Sequence, residues 1–411
     1  MIRFIHTADI HIGVENYGKI DSTTGMHTRL LDFHRAFNSC IETAIEQNVD
    51  FFLFSGDAYK TTHPSPTQQK LFLMSMLRLH KAGIPAVIVV GNHDNPLSFG
   101  KANTLDIFDE LPLDGFHVIK KPTILTLTTK NGPAQIVGIP WPTRTTIALT
   151  DSMDERTSSD LTAYISKAVS SIIADYAQKL DPALPAVLAG HLTVSSGIFS
   201  GSEKRAIYGT DPLFLPSQLA IPPFDYVALG HLHRHQNLNP GGIPLIYCGS
   251  VERIDFGERN ERKGFCLVTL EKKGDATYEF IPTPTRPFIQ IEVMIQPGKS
   301  QTEQLLEEMR KQTLKDAIVK IIYHLPPEEK DTVDLPVIQR AASEAMYVVD
   351  ILPIRQQSVR KYRAAVKVDM DLKTLLEHYF AAKPELATKK DALIEKALEL
   401  YQEAQDAAEE K

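Results

Sequence analysis

Cysteine is scarce in this chain, aromatic side chains make up only 8% of it, and long apolar runs are missing. The three cysteines in 411 residues, Cys40, Cys248 and Cys266, are scattered and show no CxxC spacing. That argues against a disulfide framework or a thiolate zinc site, and it fits a reducing cytoplasm. No stretch approaches the roughly 20 apolar residues of a membrane span, so no membrane association is expected. The opening Met1-Ile2-Arg3-Phe4-Ile5-His6 runs straight into a polar segment and does not read as a signal peptide. Positive charge is not in excess either: 44 Lys and Arg face 51 Asp and Glu, for a net charge of −7. A protein that coats nucleic acid by bulk electrostatics would have the opposite balance. A nucleic-acid substrate would then depend on local basic clusters, on metal and on a partner chain.

What is present is an ordinary globular composition, 43% hydrophobic and 23% charged. The length exceeds the roughly 250–300 residues at which single cores stop growing, so two or three domains are expected. The first two-thirds of the chain repeats one local pattern. A short apolar run, read as a buried strand, ends in a small residue and then a side chain able to bind metal. Ile2–Ile5 leads to Asp9 and His11, Phe51–Phe54 to Gly56-Asp57, and Ala86–Val90 to Gly91-Asn92-His93-Asp94. Ala186–Ala189 leads to Gly190-His191, and Tyr226–Leu229 to Gly230-His231-Leu232-His233. Runs apolar on both faces and flanked by helical patterns, here about Phe33–Glu46 and Thr67–Lys81, predict strands inside a layered α/β fold. In such folds ligands bind beyond the carboxyl ends of the strands, where all five groups fall.

Each group alone has a plain reading: a capping Asp beside a surface His, a Gly-Asp turn, a packed imidazole. Together, in this order, they point to metal. Residues two apart on an extended segment face the same side, so Asp9 with His11, and His231 with His233, can each reach one site. Imidazole mixed with carboxylate and amide suits manganese, iron or zinc rather than calcium. Histidines without this context, including His27, His34, His80, His117, His324 and His378, are expected to be surface or packing residues, as are His6 and His235.

These segments resemble the calcineurin-like metallophosphoesterases, and within them the bacterial SbcD-type nuclease subunits. The match extends through Ile207-Tyr208-Gly209-Thr210, Tyr247-Cys248-Gly249-Ser250 and Lys263-Gly264-Phe265. The resemblance implies an α/β fold with a four-layer αββα sandwich core, a small α/β capping domain and C-terminal helices. It implies that Asp9, His11 and His233 hold one divalent ion, that Asn92, His191 and His231 hold a second, and that Asp57 bridges them; the ions would be Mn2+. His93 would contact the scissile phosphate and assist the leaving oxygen, with Asp94 orienting it. The implied activity is phosphodiester hydrolysis at DNA ends and hairpins, both exonuclease and endonuclease, with an SbcC-type ATPase and as a homodimer within a heterotetramer. One departure is Lys60, which stands where archaeal and eukaryotic counterparts carry a histidine. It reads as a phosphate-contacting point charge or a solvated cation. Two rival functions are a phosphatase or cyclic-nucleotide phosphodiesterase using the same metals, and a non-catalytic scaffold.

The segment Ile281–Pro287, with three prolines, reads as a linker. Beyond it a β-α-β-α-β pattern is expected, with strands at Phe288–Ile295, Ala317–His324 and Met346–Pro353 and helices at about Gln301–Gln312 and Leu335–Ala345. The densest basic run follows, and Arg355, Arg360, Lys361 and Arg363 are its candidate DNA-backbone contacts. From Asp371 the pattern turns helical, split at Pro384. Leu372, Leu375, Leu376, Tyr379 and Phe380 share a face of the first helix, and Leu393, Ala397, Leu400 and Tyr401 form a stripe on the second. These stripes either pack within the chain or dock on a partner. The expected divisions are 1–283 for the nuclease core, 284–368 for the cap and 369–411 for the partner-binding helices.

Overall fold

The fold is taken from a computed structural model. It describes all residues except 96–101, 111, 144–157, 202–210, 328, 356–371, 382–385, 387–388 and 410–411. Arg360, Lys361, Arg363, Pro384 and the 207–210 motif lie outside the described residues.

Two six-stranded sheets carry the core. The first uses β1 (Ile2–Thr7), β2 (Phe51–Phe54), β3 (Ala86–Val89), β4 (Phe116–Ile119), β13 (Gly264–Lys272) and β14 (Asp275–Pro282) in the order β14-β13-β1-β2-β3-β4. The second uses β5 (Thr123–Thr129), β6 (Gly132–Ile139), β7 (Ala186–His191), β10 (Tyr226–Gly230), β11 (Gln236–Asn237) and β12 (Leu245–Tyr247) in the order β11-β12-β10-β7-β6-β5. Strands β1 to β4 run parallel, as do β6, β7, β10 and β12, and the outer hairpins are antiparallel. A short pair, β8 (Thr193–Val194) and β9 (Leu213–Phe214), lies beside the second sheet's sequence.

The period-two alternation of each strand divides the apolar residues among three cores. Phe4, Phe51, Leu53 and Val87 of the first sheet meet Ile136, Val187, Tyr226 and Ala228 of the second, so the two sheets pack face to face. Phe4 and Phe51, neighbours across β1 and β2, stack with ring centres 4.5 Å apart. On the outer face of the first sheet, Ile5, Phe52 and Phe54 bury against α1 (Thr28–Glu46) and α2 (Pro66–Lys81) through Phe37, Ile41, Phe72 and Met76. On the outer face of the second, α4 (Ser158–Lys179), which follows the short α3 (Ile107–Glu110), buries Ile165, Val169 and Ile173 against Leu188, Val227 and Leu229. The layers are therefore αββα, and each large apolar side chain buried in them contributes about 1.5–3 kcal/mol. Both helices of the first face begin earlier than the periodicity predicts. His27 accepts the Arg29 amide at the start of α1, and Ser65 with Gln68 forms a capping box ahead of Pro66 in α2.

The 281–287 segment is not a free linker. β14 continues through Pro282, which pairs with Gly264, and Thr283 is buried with its hydroxyl donating to the Val251 carbonyl at 2.5 Å. Arg286 then forks onto Asp32, with Nε to Oδ2 at 2.8 Å and Nη2 to Oδ1 at 2.6 Å. Beyond Pro282 the segment leaves the ladder, yet ion pairs and side-chain bonds hold it.

After α5 (Pro216–Leu219), the remaining elements follow the expected alternation: β15 (Phe288–Met294), α6 (Gln301–Arg310), β16 (Ile318–Leu325), α7 (Leu335–Ala341) and β17 (Tyr347–Arg355), with the strands in the order β15-β16-β17. Phe288 and Ile318 bury with Phe256. Helices α8 (Leu372–Ala381) and α9 (Lys390–Glu409) end the described chain. The chain forms two compact units: residues 1–293, 299–323 and 332–352, and residues 294–298, 324–331 and 353–411. The three cysteines are buried and unpaired, and among the described residues no helix is long and apolar enough to cross a membrane.

Candidate metal centre

Every site side chain leaves the carboxyl end of a central strand. β1 delivers Asp9 and His11, β2 delivers Asp57, β3 delivers Asn92 and His93, β7 ends on His191, and β10 delivers His231 and His233. Bringing five strand ends this close requires unusual backbone. Asp9, His11 and Asp57 have φ of 52°, 49° and 62°, and His231 has 107°. Such conformations cost on the order of 1–3 kcal/mol each in non-glycine residues, so the surrounding bonds must impose them. The glycines belong to the same crowding. A Cβ on Gly56 would lie 2.3 Å from His191 Nδ1, and one on Gly91 would lie 2.2 Å from Asp57 Oδ1.

Much of the restraint comes from Asp94. Its Oδ2 accepts the amides of Asp57 at 2.8 Å and Gly91 at 3.0 Å, and its Oδ1 accepts those of Ala58 at 2.9 Å and Tyr59 at 3.4 Å. Burial and the neighbouring Asp57 carboxylate push Asp94 up to about 7; when it is ionised, its hydrogen bonds contribute roughly 1.5–3 kcal/mol each, enough together to offset the local strain. Asp94 therefore braces two ligand loops and does not orient His93, as the sequence alone suggested. The His93 ring is held by Lys60 instead: its Nδ1 sits 2.8 Å from the Lys60 carbonyl. A carbonyl can only accept, so that nitrogen carries the proton and Nε2 is left facing the site, 4.0 Å from Asp57 Oδ2. His93 is 35% exposed, whereas Asp9, His11, Asp57 and His191 are buried.

Two clusters share one carboxylate. In the first, ligand atoms of Asp9, His11 and His233 lie within 4.8 Å of one another, with His11 Nε2 and His233 Nε2 3.0 Å apart. In the second, Asn92 Oδ1 lies 2.9 Å from His191 Nε2 and 3.2 Å from His231 Nδ1. Asp57 Oδ2 stands between them, 3.7 Å from His11 Nε2 and 3.4 Å from His191 Nε2. His191 Nδ1 donates to the Ser55 carbonyl at 2.7 Å, which turns its Nε2 into the site. Convergent imidazole lone pairs, carboxylates and an amide oxygen, with little solvent, are a donor set that fits divalent cations.

The charges agree. Burial pushes Asp9 up to about 7. Burial opposes a charged His191, but the Asp57 carboxylate overcomes it and raises that imidazole to about 9. Burial, reinforced by His233 and His93, holds His11 well below its usual value despite the pull of Asp57, so it is neutral and able to coordinate. His6, buried against the Tyr226 hydroxyl at 3.1 Å and pushed down by burial to about 3, packs outside the site. His235 bonds the Tyr247 carbonyl and stacks on Phe280, which is likewise packing.

Three residues near the site carry no motif. Trp141, the sole tryptophan, lies against His231 with ring centres 4.9 Å apart. Asp211 Oδ2 is 3.4 Å from His231 Nε2. Glu258, in a short 3₁₀ turn (Phe256–Glu258), places Oε1 2.9 Å from His233 Nδ1. Burial works against its charge, yet Lys263 and His233 bring it down to about 2. Only Trp141, between two prolines in Ile139-Pro140-Trp141-Pro142, had a visible signal.

The family model for calcineurin-like phosphoesterases matches residues 2–235, over half the chain and across all seven ligand candidates. The chain belongs to that family. It is also similar to the SbcD subunits of nuclease SbcCD from Escherichia coli K12 and Escherichia coli O157:H7. Each is 29% identical over 296 residues, covering 70% of this chain and 70% of the relative. Among solved structures, a Staphylococcus aureus protein assigned as a 5′-nucleotidase aligns with TM-score 0.40 and 13% identity over 69% of this chain and 54% of its own. A dimetal phosphatase from Danio rerio aligns with TM-score 0.37 and 11% identity over 68% of this chain and 98% of its own. Likenesses that distant carry no argument about the site.

Of the DNA and partner candidates, Lys60 is half-buried beside the site, where its charge is felt at His11. Arg355 is exposed, with Nη1 donating to the Glu329 carbonyl at 2.9 Å. Leu372, Leu375, Leu376 and Phe380 are half-buried and Tyr379 is 52% exposed. On α9 it is Ile394 that buries, while Leu400 and Tyr401 remain 54% and 49% exposed.

Proposed function

We propose that this metallophosphoesterase is the nuclease subunit of an SbcD-type complex, hydrolysing DNA phosphodiesters at ends and hairpins with two Mn2+ ions and an SbcC-type ATPase partner. The observation that carries the reading is the single oxygen, Asp57 Oδ2, facing His11 on one side and His191 on the other at 3.7 and 3.4 Å. Asp9, His11 and His233 would hold one ion, Asn92, His191 and His231 the other, and Asp57 both. When bound, two divalent ions supply Lewis acidity to the phosphoryl oxygens and acidify water.

The chain's own residues do the rest. Asp94 keeps the Asp57 and Asn92 loops in register. His93, its Nδ1–H fixed on the Lys60 carbonyl, presents Nε2 to the substrate as the candidate proton donor to a departing alkoxide oxygen. Lys60 adds a positive charge beside His11 that can steer a phosphate. The likeness to nuclease subunits, at 29% identity across 70% of the chain, favours DNA over a small phosphoester. The division into a core (1–283), a cap (284–368) and partner-binding helices (369–411) belongs to the same reading, as does a homodimer within a heterotetramer.

The test is turnover on blunt, hairpin and circular DNA and on a nitrophenyl phosphodiester, with Mn2+ or chelator, with and without the ATPase. Metal-dependent cleavage of ends and hairpins is expected. Robust turnover of the small ester with none on any DNA would favour a phosphatase or cyclic-nucleotide phosphodiesterase. No turnover on anything would leave a scaffold.

A further inference from the structure

The outer nitrogens of the four ligand-candidate imidazoles are treated differently. His191 Nδ1 meets a neutral backbone carbonyl, and His231 Nε2 meets Asp211 at a long 3.4 Å. His11 Nδ1 has no hydrogen-bond partner among the described residues. Of the four, His233 is the one that meets a close carboxylate, Glu258 Oε1 at 2.9 Å.

Glu258 is buried and both its oxygens are used. Oε2 accepts the Ile254 amide at 2.8 Å and pairs with Lys263 Nζ at 3.0 Å. Lys263 is buried as well, and its ammonium also donates to the main-chain carbonyl of His233 at 3.0 Å. The pair thus grips His233 at both ends, the carboxylate on the ring and the ammonium on the backbone. A buried carboxylate without a countercharge would be costly; Lys263 supplies one. An ionised Glu258 can only accept, so His233 Nδ1 must carry the ring proton. Its Nε2 then bears the lone pair, aimed at His11 Nε2 3.0 Å away.

We propose that Glu258, balanced by Lys263, is a positioning residue that fixes the His233 tautomer and ring, and thereby sets the affinity of the Asp9–His11–His233 ion position selectively over that of the Asn92–His191–His231 position. The inference rests on the two-ion reading. A carboxylate behind a ligating imidazole both locks the ring and raises its basicity, and losing such a partner typically weakens metal binding about 10–100-fold. The other position, whose imidazoles lack a close carboxylate among the described residues, has no such support to lose.

The experiment is an Mn2+ titration of the metal-stripped full chain, by calorimetry and by electron paramagnetic resonance, for wild type, Glu258→Gln, His233→Ala and the double variant. Gln keeps the size and an acceptor oxygen but removes the charge. One class of ion should weaken about 10–100-fold in Glu258→Gln, the other staying within about threefold. In the His233→Ala background the second change should add nothing, because Glu258 acts only through His233. An unchanged isotherm, equal weakening of both ions, or an undiminished effect without His233 would overturn the inference while leaving the two-ion reading intact. A wild-type chain that takes up no second ion would overturn both. The apo wild type gives a check needing no variant: long-range ¹H–¹⁵N correlation should show His233 protonated at Nδ1, and protonation at Nε2 instead contradicts the proposal.

Discussion

The carboxylate of Asp94 accepts the backbone amide of Asp57 at 2.8 Å, so the residue shared by the two imidazole clusters is positioned through its main chain. Its own carboxylate stays free for the site, apart from the His93 amide on Oδ1 at 2.9 Å.

Asp94→Asn follows directly from this. The amide group must turn an NH2 toward one pair of backbone donors, losing two bonds worth about 1.5–3 kcal/mol each. Stability in a denaturant titration should fall by several kcal/mol, and metal content should fall with it. Unchanged stability with lost turnover would return Asp94 to a direct chemical role.

His93→Ala is expected to behave in the opposite way. The ring is partly exposed and its anchor is a single carbonyl, so little of the fold depends on it. Metal content and melting temperature should stay near wild type while turnover drops about 10²–10⁴-fold. Loss of metal in this variant would make His93 a ligand rather than an acid.

The pH dependence that Asp9 and His191 give the apo fold has a definite sign. Asp9 moves from 3.8 up to about 7 because it is buried. Burial opposes the rise of His191 from 6.5 to about 9, and the Asp57 carboxylate drives it. Both folded values lie above the unfolded ones. The Asp9 contribution is therefore complete below about 4 and lost as the pH rises through 7. The His191 contribution is complete below about 6.5 and lost as the pH rises through 9. Above about pH 7.5, where buried histidines such as His6 and His11, held below their ordinary value of 6.5, are neutral in both states, the melting temperature in chelator should fall as the pH rises to 9. With Mn2+ present the gap between loaded and stripped protein should widen over that range, since the same deprotonations free the ligands. Differential scanning calorimetry in both conditions checks this; a chelated protein that grows more stable toward pH 9 contradicts it.

The terminal helices bear on the proposed partner. Tyr379 on α8 and Leu400 and Tyr401 on α9 expose large side chains, whereas Ile394 is already buried. Tyr379→Ser combined with Leu400→Ser should leave melting temperature and intrinsic phosphodiesterase turnover unchanged and weaken co-purification with the ATPase. Unaltered co-purification would place the docking surface elsewhere.

The strand ends were legible in the sequence because each pairs a short two-faced apolar run with a ligand-type side chain. Both signals survive without long-range information. Asp94 was legible as a member of Gly91-Asn92-His93-Asp94, but its work was not, because the amides it accepts belong mostly to residues 57–59. Glu258 was invisible. It is one acidic residue among 51 in the sequence, and only the turn at 256–258 sets it behind His233. The 281–287 segment was misjudged for a related reason. Its prolines report what the backbone cannot do, while the Arg286–Asp32 fork joins residues 254 positions apart.

The shared carboxylate is the centre of this account, and ion stoichiometry tests it most directly. Equilibrium dialysis against Mn2+ followed by elemental analysis should give two ions for wild type and about one tight ion for His11→Ala. Asp57→Ala should retain neither ion tightly, because both clusters lose the same oxygen. Two tightly held ions in Asp57→Ala would contradict the account.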